Sequence, residues 1–465
     1  MADELHRLTA RAAVKALKRG EVSPLELIEA ALARIAATDG AVNALPTLCP
    51  ERARRAAKDI RRDSLLAGLP IAIKDLMDVA GVRTTYGSPI FAENVPGHSD
   101  LLVERLEANG AVVLAKSNTP EFGAGANTFN EVFGRTRNPW STALTCGGSS
   151  GGAAVALATG QVWLATGSDL GGSLRIPASF CGVVGLRPSP GRAPHGPKTD
   201  AFDTLSVEGP MARNVGDLAL FLDAMAGDHP ADPLSLPAPA QPFLAAVEAP
   251  RPPRRVGFSA DLGCWPVASE VKAICTAAAQ RFTAMGAAVE AACPDLSDAR
   301  EIFQTLRAVK FATSHAEKLA RHRDKLKPDV IWNIERGLAL SGDDVARATR
   351  ARGALFERVA VFFRDHDLLL CPAVIVPPFP VEERYVTEVE GHRFDNYVDW
   401  LGITYAITLT GCPALSVPCG FTADGRPVGL QMVGRPRGEA ALLAAAALFE
   451  AETGLAAQLP IDPRP

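Results

Sequence analysis

Two serines, Ser149 and Ser173, are each framed by glycines, and a lysine lies far upstream of both. Ser149 sits in Cys146-Gly147-Gly148-Ser149-Ser150-Gly151-Gly152, and Ser173 in Ser168-Asp169-Leu170-Gly171-Gly172-Ser173-Leu174-Arg175-Ile176-Pro177. The lysine is Lys74, in Leu69-Pro70-Ile71-Ala72-Ile73-Lys74-Asp75. No histidine occurs between positions 99 and 194. A serine hydrolase built from these segments needs another base, and a lysine can serve. Amide hydrolysis requires a nucleophile, a proton shuttle and a place for the oxyanion. The glycines before Ser173 let consecutive N–H groups turn toward one point, and one such donor is worth about 3–4 kcal/mol. A lysine amine titrates near ~10.4 in water, so a base working near neutrality must be depressed, which burial beside Ile71 and Ile73 supplies. Ser149 suits a relay, because a hydroxyl both donates and accepts. Taken singly, the same residues also read as a tight turn, a flexible loop and a lysine snorkelling from a strand end.

The elements that must position these groups alternate. Ser23-Pro24-Leu25-Glu26 is a capping box that opens a helix to about Thr38. Ile71–Lys74 reads as a short buried strand, Asp100–Asn109 as an amphipathic helix stopped by Gly110, and Ala111–Ala115 as the next strand. Ala153–Thr159 starts a helix, and Val162–Thr166 is a strand leading into the second serine segment. Val215–Ala226 and Glu270–Met285 are helices by periodicity. Strand-like runs return at Leu368–Leu370, Ala414–Val417 and Val428–Val433. This alternation predicts an α/β layer architecture. Residues 230–253 hold eight prolines and predict a surface connection, within bounds 228–256. Because strands resume beyond it, one domain over 1–465 is expected, with 1–65 as an N-terminal helical segment.

The chain has 465 residues, of which 47% are hydrophobic and 22% charged, enough for a large core. A net charge of −4 without a basic block argues against nucleic acid and against an anionic membrane surface. Nine cysteines, an odd number with no C-x-x-C pair, point to reduced thiols and a cytoplasmic protein. The first residues are not a secretory signal. Two long uncharged stretches, 145–168 and 401–423, reach membrane-span length, but Gly, Pro, Ser and Thr interrupt both. Buried helix-plus-strand segments are expected there.

In combination the motifs resemble the amidase signature family of serine hydrolases. Gly147-Gly148-Ser149-Ser150-Gly151-Gly152 is similar to that family's Gly-Gly-Ser-Ser-Gly-Gly core, and Asp169 through Ala178 to its nucleophile segment. Lys116-Ser117-Asn118-Thr119-Pro120-Glu121-Phe122-Gly123, Asn138-Pro139-Trp140 and Gly182-Val183-Val184-Gly185-Leu186-Arg187-Pro188 fit in order, as does the C-terminal Pro427–Gly434. The resemblance implies a three-layer α/β/α sandwich around a large mixed central sheet. It implies Ser173 as the acylated nucleophile, Lys74 as the base and Ser149 as a relay held by a cis peptide after Gly148. It also implies an oxyanion hole from the N–H groups of Leu170, Gly171, Gly172 and Ser173, with Ser150, Asp169 and Arg175 in support. Homodimers are common among such enzymes. Two departures are noted: Cys146 stands where many members have proline, and Leu170 where many have threonine or isoleucine. Cys146 raises the idea of a thiol nucleophile, but an inert loop cysteine is the favoured reading.

Three other readings compete. Gly147–Gly151 satisfies the G-x-S-x-G elbow of α/β-hydrolases, which would make Ser149 the nucleophile and draw on His315, His366 or His392. The preceding Asn138-Pro139-Trp140-Ser141-Thr142 is not strand-like, which counts against it. The family also contains the glutamine-hydrolysing subunit of tRNA-dependent amidotransferases, where a polar glutamine often stands at the position of Ile176; apolar Ile176 suggests a more hydrophobic acyl pocket. A catalytically dead binding protein is disfavoured, since Lys74, Ser149 and Ser173 are all present. Further pocket walls are expected from parts of 300–340 and 375–405. Phe394, Tyr397 and Trp400 recur at helical spacing, where core packing is favoured over contact with an aryl or alkyl group. No basic residue obviously awaits a substrate carboxylate, so neutral aryl or alkyl amides are expected, with esters, anilides and carbamates open to the same acyl-enzyme chemistry. Neither a metal-ligand cluster nor a nucleotide fingerprint is present, so no cofactor is expected.

Overall fold

The first long helix starts where its cap is written. Ser23 Oγ accepts from the Glu26 N–H (3.2 Å) and the Glu26 carboxylate accepts from the Ser23 N–H (2.8 Å), with Pro24 in the first turn. The helix runs Pro24–Val42, a turn beyond the expected end, because Asn43 supplies the left-handed cap. In this computed structural model, which describes residues 2–465, helices Ala10–Arg19, Pro24–Val42 and Pro50–Ala56 make up the N-terminal segment.

Eleven strands join one mixed sheet. In chain order they are β1 (Thr47–Leu48), β2 (Pro70–Lys74), β3 (Val112–Ser117), β4 (Leu164–Asp169), β5 (Val184–Arg187) and β6 (Val207–Ala212). Then come β7 (Arg255–Phe258), β8 (Ala288–Ala291), β9 (Leu368–Pro372), β10 (Ala414–Phe421) and β11 (Pro427–Gly434). Across the sheet the order is β1-β3-β2-β4-β6-β5-β10-β11-β9-β7-β8. Strand β2 runs parallel to β3 and β4, and β7 parallel to β8 and β9; the other pairs are antiparallel. Every residue of β2, β3 and β4 is buried. That is why these strands read as continuous apolar runs rather than as alternation: helices cover both faces in a three-layer α/β/α sandwich.

Both uncharged stretches resolve into a buried helix followed by a strand. Residues 145–168 contain helix Gly151–Ala158, buried on every side, and most of β4. Residues 401–423 contain helix Gly402–Thr410 and β10. Among the described residues no helix is long and apolar enough to cross a membrane.

The proline-rich stretch differs from expectation in one respect. It holds the short helix Phe243–Glu248, anchored by buried Phe243 and started by the Asp223 carboxylate, which accepts from the Phe243 and Leu244 N–H groups. One apolar anchor and a cap 20 residues upstream leave no periodic signal to read. Phe394, Tyr397 and Trp400 share no helix: only Trp400 lies in a helical turn, Asp399–Leu401. Tyr397 and Trp400 are buried. The even spacing is therefore coincidental.

Candidate active site

Strand β2 delivers Lys74 at its C-terminal end. The parallel register with β4 (Ile71 opposite Leu164, Ala72 opposite Ala165) sets Lys74 beside the end of β4. There Thr166 Oγ1 accepts from the Lys74 N–H at 3.0 Å. The side chain is fully buried, and its Nζ donates to three hydroxyls: Ser149 at 2.8 Å, Ser150 at 2.9 Å and Ser168 at 2.9 Å. Among the described residues no carboxylate lies within ion-pair distance of Nζ. A second buried lysine, Lys116 on β3, provides the contrast. It sits opposite Ile73, one step out of phase with Lys74, and its Nζ meets Asp75 Oδ1 at 3.1 Å. Burial depresses both amines, and it brings Lys74 down to about 7 against the upward pull of Glu208 and Asp169.

Ser149 and Ser150 come from the loop that starts helix Gly151–Ala158, and the Gly148–Ser149 peptide is cis. Gly123 closes over this loop with φ +69°, and a Cβ there would stand 3.3 Å from Ser149 Oγ. Ser173 leaves β4 through a turn that needs its glycines. Gly172 has φ +121°, and a Cβ would reach 2.4 Å from Thr404 Oγ1. The turn is tied back by the Thr404 hydroxyl, which donates to the Gly171 carbonyl at 2.7 Å, and by the Ser150 N–H, which donates to the Ser173 carbonyl at 3.2 Å.

Ser149, Ser168, Leu170 and Ser173 line one cavity of about 100 Å³; Lys74 and Ser149 are buried, whereas Ser173 is half-buried there. Its hydroxyl makes no hydrogen bond among the described residues, whereas Lys74 and Ser149 are already in contact. Four larger hollows, of about 370 to 560 Å³, are lined by neither serine.

The oxyanion expectation is narrowed. The Gly172 N–H donates to Asp169 Oδ1 at 2.9 Å, so it is already committed. The N–H groups of Leu170, Gly171 and Ser173 have no acceptor within the described residues. Asp169 also takes the Leu174 N–H (3.1 Å) and both Arg175 Nε (3.0 Å) and Nη2 (2.8 Å), while Arg187 Nη1 stands 3.4 Å away. All three side chains are fully buried. Burial opposes the Asp169 charge, yet Arg175 and then Arg187 hold its carboxyl well below the usual carboxylate range. Its stabilising effect is therefore present above the ordinary carboxylate titration and lost as pH falls. Asp169→Asn, which leaves two buried guanidiniums facing an amide, is expected to lower unfolding free energy by about 3–5 kcal/mol in urea titrations; a loss below ~1 kcal/mol would contradict this role.

Ile176 is not on the cavity wall. It is buried beneath the two glycine segments, where Cβ atoms built on Gly147 and Gly172 would press on it. Cys146 is fully buried, its thiol pushed up to about 12 by that burial, and it does not line the cavity, which removes the thiol-nucleophile idea. The α/β-hydrolase reading loses its geometry too. Ser141–Thr145, the strand before Ser149, pairs with Arg137–Asn138 outside the main sheet. His315 does reach the cavity, but it stacks on Phe122 with ring centroids 4.5 Å apart. Its Nδ1 is unpartnered and burial lowers its pKa to about 3.

Four contributors carry no signal in the sequence. Ser168 is the third hydroxyl on Lys74 Nζ. Glu208 on β6 is opposite Ser168 in the β4–β6 ladder and so shares its face. It is buried, pushed up to about 7 by that burial, and lies 3.2 Å from His195 Nε2. Arg307 and Lys310 line the cavity from helix Ala299–His322, so two basic side chains stand where the sequence points to none. Their shared helix face, with Phe311, Ser314 and His315 at spacings of three and four, is visible as a pattern, but nothing in the sequence says which surface it meets.

Residues 26–443 match the family model described as Amidase. An acylamidase of Rhodococcus erythropolis is 36% identical over 471 residues, covering 98% of each chain. The A-type subunit of a glutamyl-tRNA(Gln) amidotransferase from Anaeromyxobacter dehalogenans (strain 2CP-C) is also 36% identical, over 497 residues that span 100% of this chain and 99% of its own. Among solved structures, a bacterial aryl acylamidase of the amidase signature enzymes matches with a TM-score of 0.90 at 27% identity, over 98% of this chain and 99% of that one.

Proposed function

This chain belongs to the amidase signature family, and on that footing we propose that it hydrolyses carboxylic amides through an acyl-enzyme on Ser173. Ser173 Oγ attacks the amide carbonyl carbon. Its proton passes to Ser149 Oγ, whose own proton moves to Lys74 Nζ. The negative charge that develops on the carbonyl oxygen is met by the N–H groups of Leu170, Gly171 and Ser173. As the intermediate collapses, the leaving nitrogen takes a proton back through the same relay and departs as an amine or ammonia. Water then attacks the Ser173 ester along the reverse path and releases the carboxylic acid.

One observation carries this reading: a fully buried amine, with no carboxylate in contact among the described residues, 2.8 Å from the hydroxyl of Ser149. Such an amine is held near neutrality and can accept a proton, where a solvent-exposed lysine cannot. The acyl group we assign is aryl or alkyl next to the scissile bond, since Leu76, Phe122, Leu170 and Phe311 face the cavity. Esters, anilides and carbamates follow by the same chemistry. The nine free thiols support a reducing, cytoplasmic setting.

A second reading, the glutamine-hydrolysing component of a tRNA-dependent amidotransferase, is favoured by the equal identity of that relative. An assay of the purified chain on aryl and alkyl amides, anilides, esters and glutamine separates the two. Turnover of aryl or alkyl amides by the isolated chain is the expected result. Activity confined to glutamine, or appearing only with co-purifying proteins, would favour the second.

A further inference from the structure

Helix Ala299–His322 turns one face to the catalytic cavity, with Arg307, Lys310, Phe311, Ser314 and His315 along it. The two cations on this face are not equivalent. Lys310 is ion-paired with Asp203. Arg307 is 6% exposed, and no carboxylate lies within ion-pair distance of it among the described residues. Its direct partners are neutral: Nη1 donates to Asn333 Oδ1, and Nη2 to the Tyr397 hydroxyl at 2.8 Å. Its guanidinium carbon stands 4.3 Å from the Phe311 ring centroid and 5.3 Å from that of Tyr397. Its Nε–H makes no hydrogen bond within the described residues.

A buried guanidinium without a counter-charge is costly to keep, and one lining a reaction cavity is a candidate to receive its counter-charge from a ligand. Asn333, Tyr397 and Phe311 fix the plane of the fork, and a fixed fork matches a carboxylate. We propose that Arg307 binds a carboxylate of the substrate, so that the preferred amides carry an acid group a few bonds from the scissile carbonyl. The cavity of about 100 Å³ that Arg307 and Ser173 share keeps this spacing short. The inference rests on the amide-hydrolase reading and replaces the neutral-amide expectation with an anionic one.

The carboxylate can sit on the acyl side or on the amine side, and matched pairs tell them apart: succinamate against pentanamide, and N-acetylglycine against N-propylacetamide. In at least one pair the wild type is expected to favour the acid by tenfold or more in kcat/KM. Arg307→Gln should collapse that ratio to about one or below, with Arg307→Lys retaining part of it. Butyrate should also inhibit the wild type at least tenfold more tightly than its neutral analogue 2-pentanone, a comparison that does not depend on any variant folding. Preference for the neutral member of both pairs overturns the inference while leaving the amidase reading intact. So does a ratio that Arg307→Gln leaves unchanged, or equal inhibition by butyrate and 2-pentanone. A wild type that hydrolyses none of the four and forms no acyl-enzyme with an activated ester overturns both.

Discussion

Ser173→Ala is expected to cut kcat on any amide substrate by about 10⁴-fold or more, leaving only the residue of catalysis that binding and oxyanion donors supply. The variant should fold, because the Ser173 hydroxyl makes no hydrogen bond that the turn depends on; the turn is held by its backbone, by Thr404 and by Asp169. The same substitution separates this mechanism from one in which Ser149 attacks, since that alternative predicts an active Ser173→Ala enzyme. Steady-state rates, with thermal melting as the folding control, decide it.

The second large effect concerns the base. Lys74→Ala is expected to abolish acylation, with a loss of at least ~10³-fold in kcat/KM, because no other group in contact with Ser149 can accept its proton. The wild-type pH profile carries the sign. The Lys74 amine is depressed by burial to about 7, so below that pH it holds a proton and cannot take another. Activity should therefore rise about tenfold per pH unit on the acid side and level off above neutrality. Glu208, buried on the same face as Ser168, pulls in the opposite direction and keeps the amine from falling further. A profile that is flat between pH 5 and 9 would contradict a lysine base.

How much of this was legible beforehand depends on the range of the interaction. The glycine–serine segments and the β2 lysine were readable because their chemistry is local: glycine permits the turn, and apolar neighbours bury the amine. The strand and helix sites were likewise readable from runs of apolar residues, with ends displaced by a few positions. What escaped is set by register and by tertiary packing. Ser168 and Glu208 are joined only through the antiparallel ladder of β4 and β6, and a pairing partner 40 residues away leaves no mark on either strand. Arg307 reaches the cavity because a helix far along the chain packs over it. Spacing alone puts Gly172 among the oxyanion donors, because it does not reveal that Asp169 folds back to take its N–H. Sequence proximity to the nucleophile points Ile176 to the wall, whereas the helix Arg175–Cys181 turns it under the glycine segments.

The most direct test is peptide mapping by mass spectrometry of enzyme quenched in acid during turnover of an activated aryl ester, at pH 6 and pH 8. The account predicts the acyl mass on the peptide that contains Ser173, accumulating faster at pH 8 and absent in Lys74→Ala. An acyl group on Ser149, or one that forms equally fast without Lys74, would contradict it.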